Sequence, residues 1–187
     1  MKTAFGLLMS AAAFVMLLST FVLPWYHVVN RGSSEDGFVY EDTFYLRDWS
    51  FNIYNTEVHY QYDDPATWEP VRGVMLVELA LVLSAVGFLG FSLSSLFLGR
   101  RIATIGSGAL SALLMFFAAA YFFVSITGAL NDSIGTLVTF EGFVGEGRNE
   151  LNIYHSWGPL IGWYLLLTAM VAQTTGVILV DLGRKGY

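Results

Sequence analysis

The stretch MLVELALVLSAV sets one carboxylate, Glu78, in an otherwise apolar run, and the three histidines, His27, His59 and His155, fall far apart in the chain. An ionised acid in hydrocarbon is costly, so Glu78 needs a reason for its place. Ion coordination or proton handling is one. The other is an acid at the edge of the apolar zone that snorkels to water or pairs with His27, His155 or an outer arginine. No two histidines stand at a ligand spacing such as H-x3-H, so no metal site is expected. Cysteine is absent, which removes thiolate ligands, disulfides and cysteine nucleophiles. Neither a nucleophile elbow nor a phosphate-binding glycine loop occurs. No catalytic residue and no cofactor is therefore expected, and the chain reads as non-enzymatic.

The elements that must position Glu78 and the histidines are apolar spans. The 187 residues are 55% hydrophobic, 16% aromatic and only 13% charged, too apolar for an ordinary soluble domain. Four runs, 4–23, 74–98, 102–126 and 160–180, each hold roughly the 20 residues that carry a helix across about 30 Å of hydrocarbon. We expect helices at about 4–24, 73–99, 102–127 and 158–181, with outer loops 25–72 and 128–157, in one tetraspan domain. The first run exceeds the roughly 7–15 residues of a signal-peptide core and has no small-x-small site after Leu23, so it is expected to stay as a helix. Arg100 and Arg101 fill nearly the whole link between the second and third helices, which must then pack antiparallel. Counting some 20 residues back from Arg100 reaches about Ala80, which puts Glu78 near the outer boundary. Small residues recur along these two helices, Ala80, Ser84 and Ser92 on one and Ala103, Ser107 and Ser111 on the other, and predict close backbone approach.

Charge orients the bundle. Lys2, Arg100, Arg101, Arg184 and Lys185 share one side, which the positive-inside rule makes cytoplasmic; both termini are expected inside and both long loops outside. The outer loops carry thirteen acids against four bases, within a net charge of −6. Such an exterior attracts cations and disfavours nucleic acid. Asn131-Asp132-Ser133 is a glycosylation sequon on the outer side.

The outer loops have strand character. In DWSFNIYNTEVHYQYDD, Trp49, Phe51 and Ile53 alternate with polar residues, and after a turn at Asn55 so do Val58, Tyr60 and Tyr62. GFVYEDTFYLRD, TLVTF and LNIYH add candidates, with EGFVGEG as a turn region, giving an expected antiparallel sheet of about four or five strands. Pro24-Trp25-Tyr26-His27 and Tyr154-His155-Ser156-Trp157-Gly158-Pro159 are expected at helix ends, at headgroup level, as a floor for that sheet. The aromatic density exceeds what a small sheet buries alone, which makes Trp49, Phe51, Tyr54, Tyr60 and Tyr62 candidate partner-binding residues.

Four helices, a long strand-rich first outer loop, a shorter second one and a first helix ending in STFVLPW resemble the claudin and peripheral-myelin-protein group in architecture; of that group's first-loop signature, YLRDWSF offers only Trp49, and the cysteine pair is absent. That resemblance implies a small sheet above a left-handed bundle, and a role in adhesion, in a paracellular pore or as an accessory subunit. The expected fold class is thus a membrane α-helical, four-helix antiparallel bundle with a small extracellular antiparallel β-sheet built from both outer loops. The leading functional expectation is an accessory or scaffold subunit that meets membrane lipid and binds other membrane subunits or a second copy through its outer strands. A cation-conducting assembly using Glu78, His27 and His155, and a metal- or redox-linked enzyme subunit, are the alternatives.

Overall fold

The computed structural model describes residues 2–31, 39–53, 56–61, 68–134, 139–148 and 152–184. Four helices, α1 (Lys2–Ser19), α2 (Glu69–Phe97), α3 (Arg101–Ile134) and α4 (Ile161–Arg184), are each long and apolar enough to cross a membrane. Six strands accompany them: β1 (Tyr26–Arg31), β2 (Val39–Phe44), β3 (Asp48–Ile53), β4 (Thr56–Gln61), β5 (Gly145–Arg148) and β6 (Tyr154–Pro159). The chain divides into two compact units. One comprises Met1–Thr20, Ala80–Ala120 and Tyr164–Tyr187, and the other Phe21–Leu79 and Tyr121–Trp163.

The first unit is all helical and is held by close backbone crossings. Gly6 of α1 lies against α4 so tightly that a Cβ on it would stand 2.9 Å from the Gly176 carbonyl oxygen, and one on Gly176 would stand 2.5 Å from Ser10 Oγ. Small residues at such crossings let polar backbones approach, the contact that replaces hydrophobic burial between membrane helices. Hydroxyls knit the other helices: Ser92 Oγ donates to the Thr104 carbonyl at 2.7 Å and Ser111 Oγ to the Ala85 carbonyl at 2.8 Å. Arg101 pairs with Asp181 across α3 and α4. The α2–α3 link is as short as expected, because Gly99 adopts φ +69° and ends α2 while the Arg100 N–H bonds back to the Ser95 carbonyl. Of the expected small-residue positions, Ser92, Ser107 and Ser111 are buried, but Ala80 and Ser84 face outward. The buried α2 stripe is Val71, Val74, Met75, Glu78, Val82, Ala85, Leu89, Ser92 and Ser95, a phase that leaves Ala80 and Ser84 off the contact.

The second unit is built on an antiparallel sheet of order β4-β3-β2-β1-β6-β5, six strands rather than four or five. β1 was not expected as a strand. α1 stops at Ser19 instead of continuing to about 24, with Thr20 Oγ1 donating to the Leu17 carbonyl. Pro24 cannot continue a helix, and the Trp25 N–H bonds to the Phe44 carbonyl at 2.8 Å while its own carbonyl takes the Leu160 N–H. The YHVVN segment is thereby drawn into the sheet. Residues 154–159 form β6, so Tyr154 and His155 are in a strand as expected of LNIYH, while Gly158 and Pro159 are strand and not the expected start of a helix; within EGFVGEG the turn falls at Gly142 (φ +82°) while Gly145 opens β5. In TLVTF, residues 136–138 lie outside the described residues and Thr139 and Phe140 are not in a strand.

Register assigns the sheet two unlike faces. Tyr26, Val28 and Asn30 share one face with Asp42 and Phe44 of β2 and with His155 and Trp157 of β6, and all of these are buried. His27, Arg31, Glu41, Glu146, Arg148 and Tyr154 fall on the other face, where Val29 and Ser50 are also buried. Beneath the inner face lies an aromatic core: Phe122 meets Trp25 at 5.4 Å and Tyr26 at 5.9 Å between ring centroids, Phe44 meets Trp68 at 4.9 Å, and Phe140 meets Trp157 at 4.9 Å. Trp25, Tyr26 and Trp157 are thus core residues of this unit rather than an interfacial belt. Their polar tips are satisfied within it, Tyr26 Oη by the Phe143 carbonyl and Trp157 Nε1 by the Gly142 carbonyl.

The Gly6 crossing generates a paired prediction. Gly6→Ala must displace α4 backbone and should lower stability by about 1–3 kcal/mol, whereas Gly106→Ala on α3, which meets nothing within 4 Å, should be neutral or stabilising. Thermal melts of the purified variants in one detergent check this, and equal melting temperatures would contradict the crossing.

Candidate functional site

Glu78 lies in α2 on the buried stripe and is 0% exposed. It does not snorkel to water, and neither expected histidine is its partner. His27 Nδ1 is 3.2 Å from Glu41 Oε1, and His155 Nδ1 bonds to the Asn30 amide oxygen. Neither Glu78 oxygen has a hydrogen-bond partner among the described residues. Position along the helix axis suggested an edge residue; rotation about that axis turns the side chain inward, where an unpaired polar group is costly.

The partner-binding candidates separate. Trp49 is half-buried on the inner face and packs on Trp68 at 6.2 Å. Phe51 and Tyr60 share that face by register, through the pairs Phe51↔Val58 and Trp49↔Tyr60, while Tyr54 and Tyr62 lie outside the described residues. Trp25, Tyr26, Phe44, Trp68 and Trp157 are buried. Among the described residues of the edge strand β4, Val58 is 40% exposed, on the same face that is closed under β1, β2 and β6.

Two polar groups on the inner face escaped the sequence reading. Asn30 and Asp42 stand in phase with Val28 and Phe44, and Asp42 is 5% exposed. The signal existed, a polar residue on the apolar phase of a strand, but it is legible only once YHVVN and VYEDTF are taken as paired strands. Burial, reinforced by the neighbouring Glu41 charge, pushes the Asp42 carboxyl up to about 7. On the opposite face the His27 hydrogen bond outweighs burial and, with the His27 and Arg31 charges, holds Glu41 below the usual carboxylate range. The sequon is otherwise engaged: Asn131 Oδ1 accepts the Phe140 N–H at 2.7 Å and its Nδ2 donates to the Phe140 carbonyl at 3.1 Å, so the amide serves as a local clamp. Among the described residues no group of three or more His, Cys, Asp or Glu side chains is placed to hold a metal ion.

Asp42 makes stability depend on pH with a definite sign. Below its unfolded value of 3.8 both states hold the proton; as pH rises to about 7 the unfolded state ionises first, so the folded state loses stability across that window and stays penalised above it. Asp42→Asn should therefore raise the melting temperature more at pH 8 than at pH 4.5, with a gain on the order of 2–3 kcal/mol at pH 8. A gain independent of pH would show that burial does not govern this carboxyl.

No protein family matches the chain and no curated protein matches it significantly in sequence, so its function has to be read from its own residues.

Proposed function

We propose that the chain is a non-enzymatic integral-membrane accessory or scaffold subunit. Its four helices span the bilayer with both termini cytoplasmic, and its sheet stands outside and binds another membrane protein or a second copy through the β3–β4 hairpin. Length and hydropathy of the helices support the membrane reading, and the distribution of Lys and Arg supports the orientation. The observation that carries the binding reading is the unfinished inner face. Trp68 covers Phe44 and reaches Trp49, but beyond it the same face runs on to Val58 at the edge of the sheet. A second chain seated there would extend a core that already exists. The architectural resemblance to the claudin and peripheral-myelin-protein group agrees with a binding rather than a catalytic role.

The direct test is association in native membranes. Val58→Lys should reduce recovery of the bound partner at least about tenfold, since a charge at the centre of an apolar contact is left without a counterpart. Val39→Lys, at an equally exposed valine on the opposite face, should leave recovery unchanged. Equal recovery from both variants would remove the hairpin as the binding surface.

One observation favours a cation path as the second reading: Glu78 is buried, and neither of its oxygens has a hydrogen-bond partner among the described residues. Glu78→Gln keeps the shape and removes the charge. On the accessory reading, liposomes bearing wild type or Glu78→Gln show the same ion flux as protein-free liposomes. A flux that wild type supports and Glu78→Gln abolishes would establish the cation path instead.

A further inference from the structure

The sheet is assembled from two distant stretches of chain, and only one pairing joins them. β1 to β4 come from residues 26–61 and β5 and β6 from residues 145–159; in the order β4-β3-β2-β1-β6-β5 the junction is β1 against β6. Asn30 stands directly opposite His155 across that junction, on the inner face. His155 is 3% exposed, its Nδ1 bonds to the Asn30 amide oxygen, and its Nε2 is buried with no partner among the described residues.

This geometry tolerates only one protonation state of the ring. With an amide oxygen as acceptor, Nδ1 carries the hydrogen and Nε2 the lone pair. A second proton would have to sit on Nε2, where it meets no acceptor, and would place a positive charge beneath the sheet. Burial is what acts on the ring among the described residues, and it disfavours the charged form. Opposite it on β5 is Gly147, which brings no side chain. Arg31 on β1, Glu41 on β2, Glu146 and Arg148 on β5, and Tyr154 beside it all fall on the other face. Asp42 on β2 shares the inner face but stands opposite Val28.

We propose that the Asn30–His155 pair makes the β1–β6 junction an acid-sensitive latch, closed while the imidazole is neutral and opened when the ring takes up a proton. Burial holds the ring below the ordinary histidine value of 6.5, so the stability it confers is complete above that value and declines as pH falls below it. The effect is directional. The same acidification neutralises Asp42, which relieves its burial cost on the β2 side, and Glu41 remains ionised against His27 at pH 5. β1–β2 pairing is therefore spared while β1–β6 pairing is weakened.

Amide hydrogen exchange on the full-length protein in lipid nanodiscs, corrected for the intrinsic pH dependence of exchange, tests the latch without reference to any binding partner. Between pH 7.5 and pH 5, protection of residues 154–159 should fall at least tenfold while that of 48–53 is retained, and His155→Gln, which keeps a donor for Asn30 without a titrating ring, should abolish the fall. Protection at 154–159 that does not change with pH, or that falls equally in His155→Gln, overturns the proposal. Should that variant fail to fold, the wild-type ring decides by NMR: His155 must stay neutral as long as 154–159 is protected and charge only together with loss of protection. A ring that charges within an intact junction refutes the latch.

Discussion

Pairing of β1 with β6 is the constraint on which the sheet-bearing unit depends. It matches Tyr26 with Pro159 and Arg31 with Tyr154, residues separated by most of the chain, so the six-stranded sheet cannot exist until it forms. Closing so long a loop costs conformational entropy that grows only slowly with length, and here most of the intervening chain is helix and is not free to explore as coil. The reward is concentrated at the junction. Val28 and Trp157 are opposite each other and buried, and the Trp25 carbonyl accepts the Leu160 N–H, tying the strand to the start of α4. Glycine at 162 completes the contact, since a Cβ there would stand 2.6 Å from the Trp25 ring.

The two units solve the problem of close packing differently. In the helical unit, contacts are made by removing side chains: Gly6 and Gly176 bring backbone against backbone or against a serine hydroxyl, Gly108 makes room for the Val177 and Gln173 side chains, and serines donate to carbonyls of neighbouring helices. Close approach and hydrogen bonds are the contacts that hold apolar helices together where lipid would solvate their side chains equally well. The sheet-bearing unit instead fills its interior with large rings in edge-on contact, and routes each indole or phenol hydrogen to a nearby carbonyl where one is in reach.

Polar groups left on buried faces are where function is most legible. Asn30, Asp42, His155 and Glu78 all occupy positions whose phase is apolar, and none is required by the fold in the way that Phe122 or Trp25 is. A core built for stability alone would place aliphatic side chains there. Asn30 and His155 are bonded to one another while the ring's Nε2 has no partner among the described residues, and Glu78 is likewise without a bonded partner among them. Each is thus sensitive to protonation or to a ligand in a way that its apolar neighbours are not.

Hydropathy and charge by themselves determined four apolar helices, the tight Arg100–Arg101 link and the strand character of DWSFNI and TEVHYQ, because helix span, turn length and period-two alternation are properties of neighbouring residues. Tertiary structure decided the rest. β1 and β6 became strands because distant backbone partners were available to YHVVN and YHSWGP, overriding their apparent place at helix ends. α3 continued to Ile134 because Ala129 and Leu130, beyond the expected end at 127, found burial in the sheet-bearing unit. The depth of Glu78 could be counted along its helix, but its burial depended on which face of α2 the other elements cover. His155 could be named from sequence as a group of interest, whereas its pairing with Asn30 required two strands from opposite ends of the chain to lie side by side.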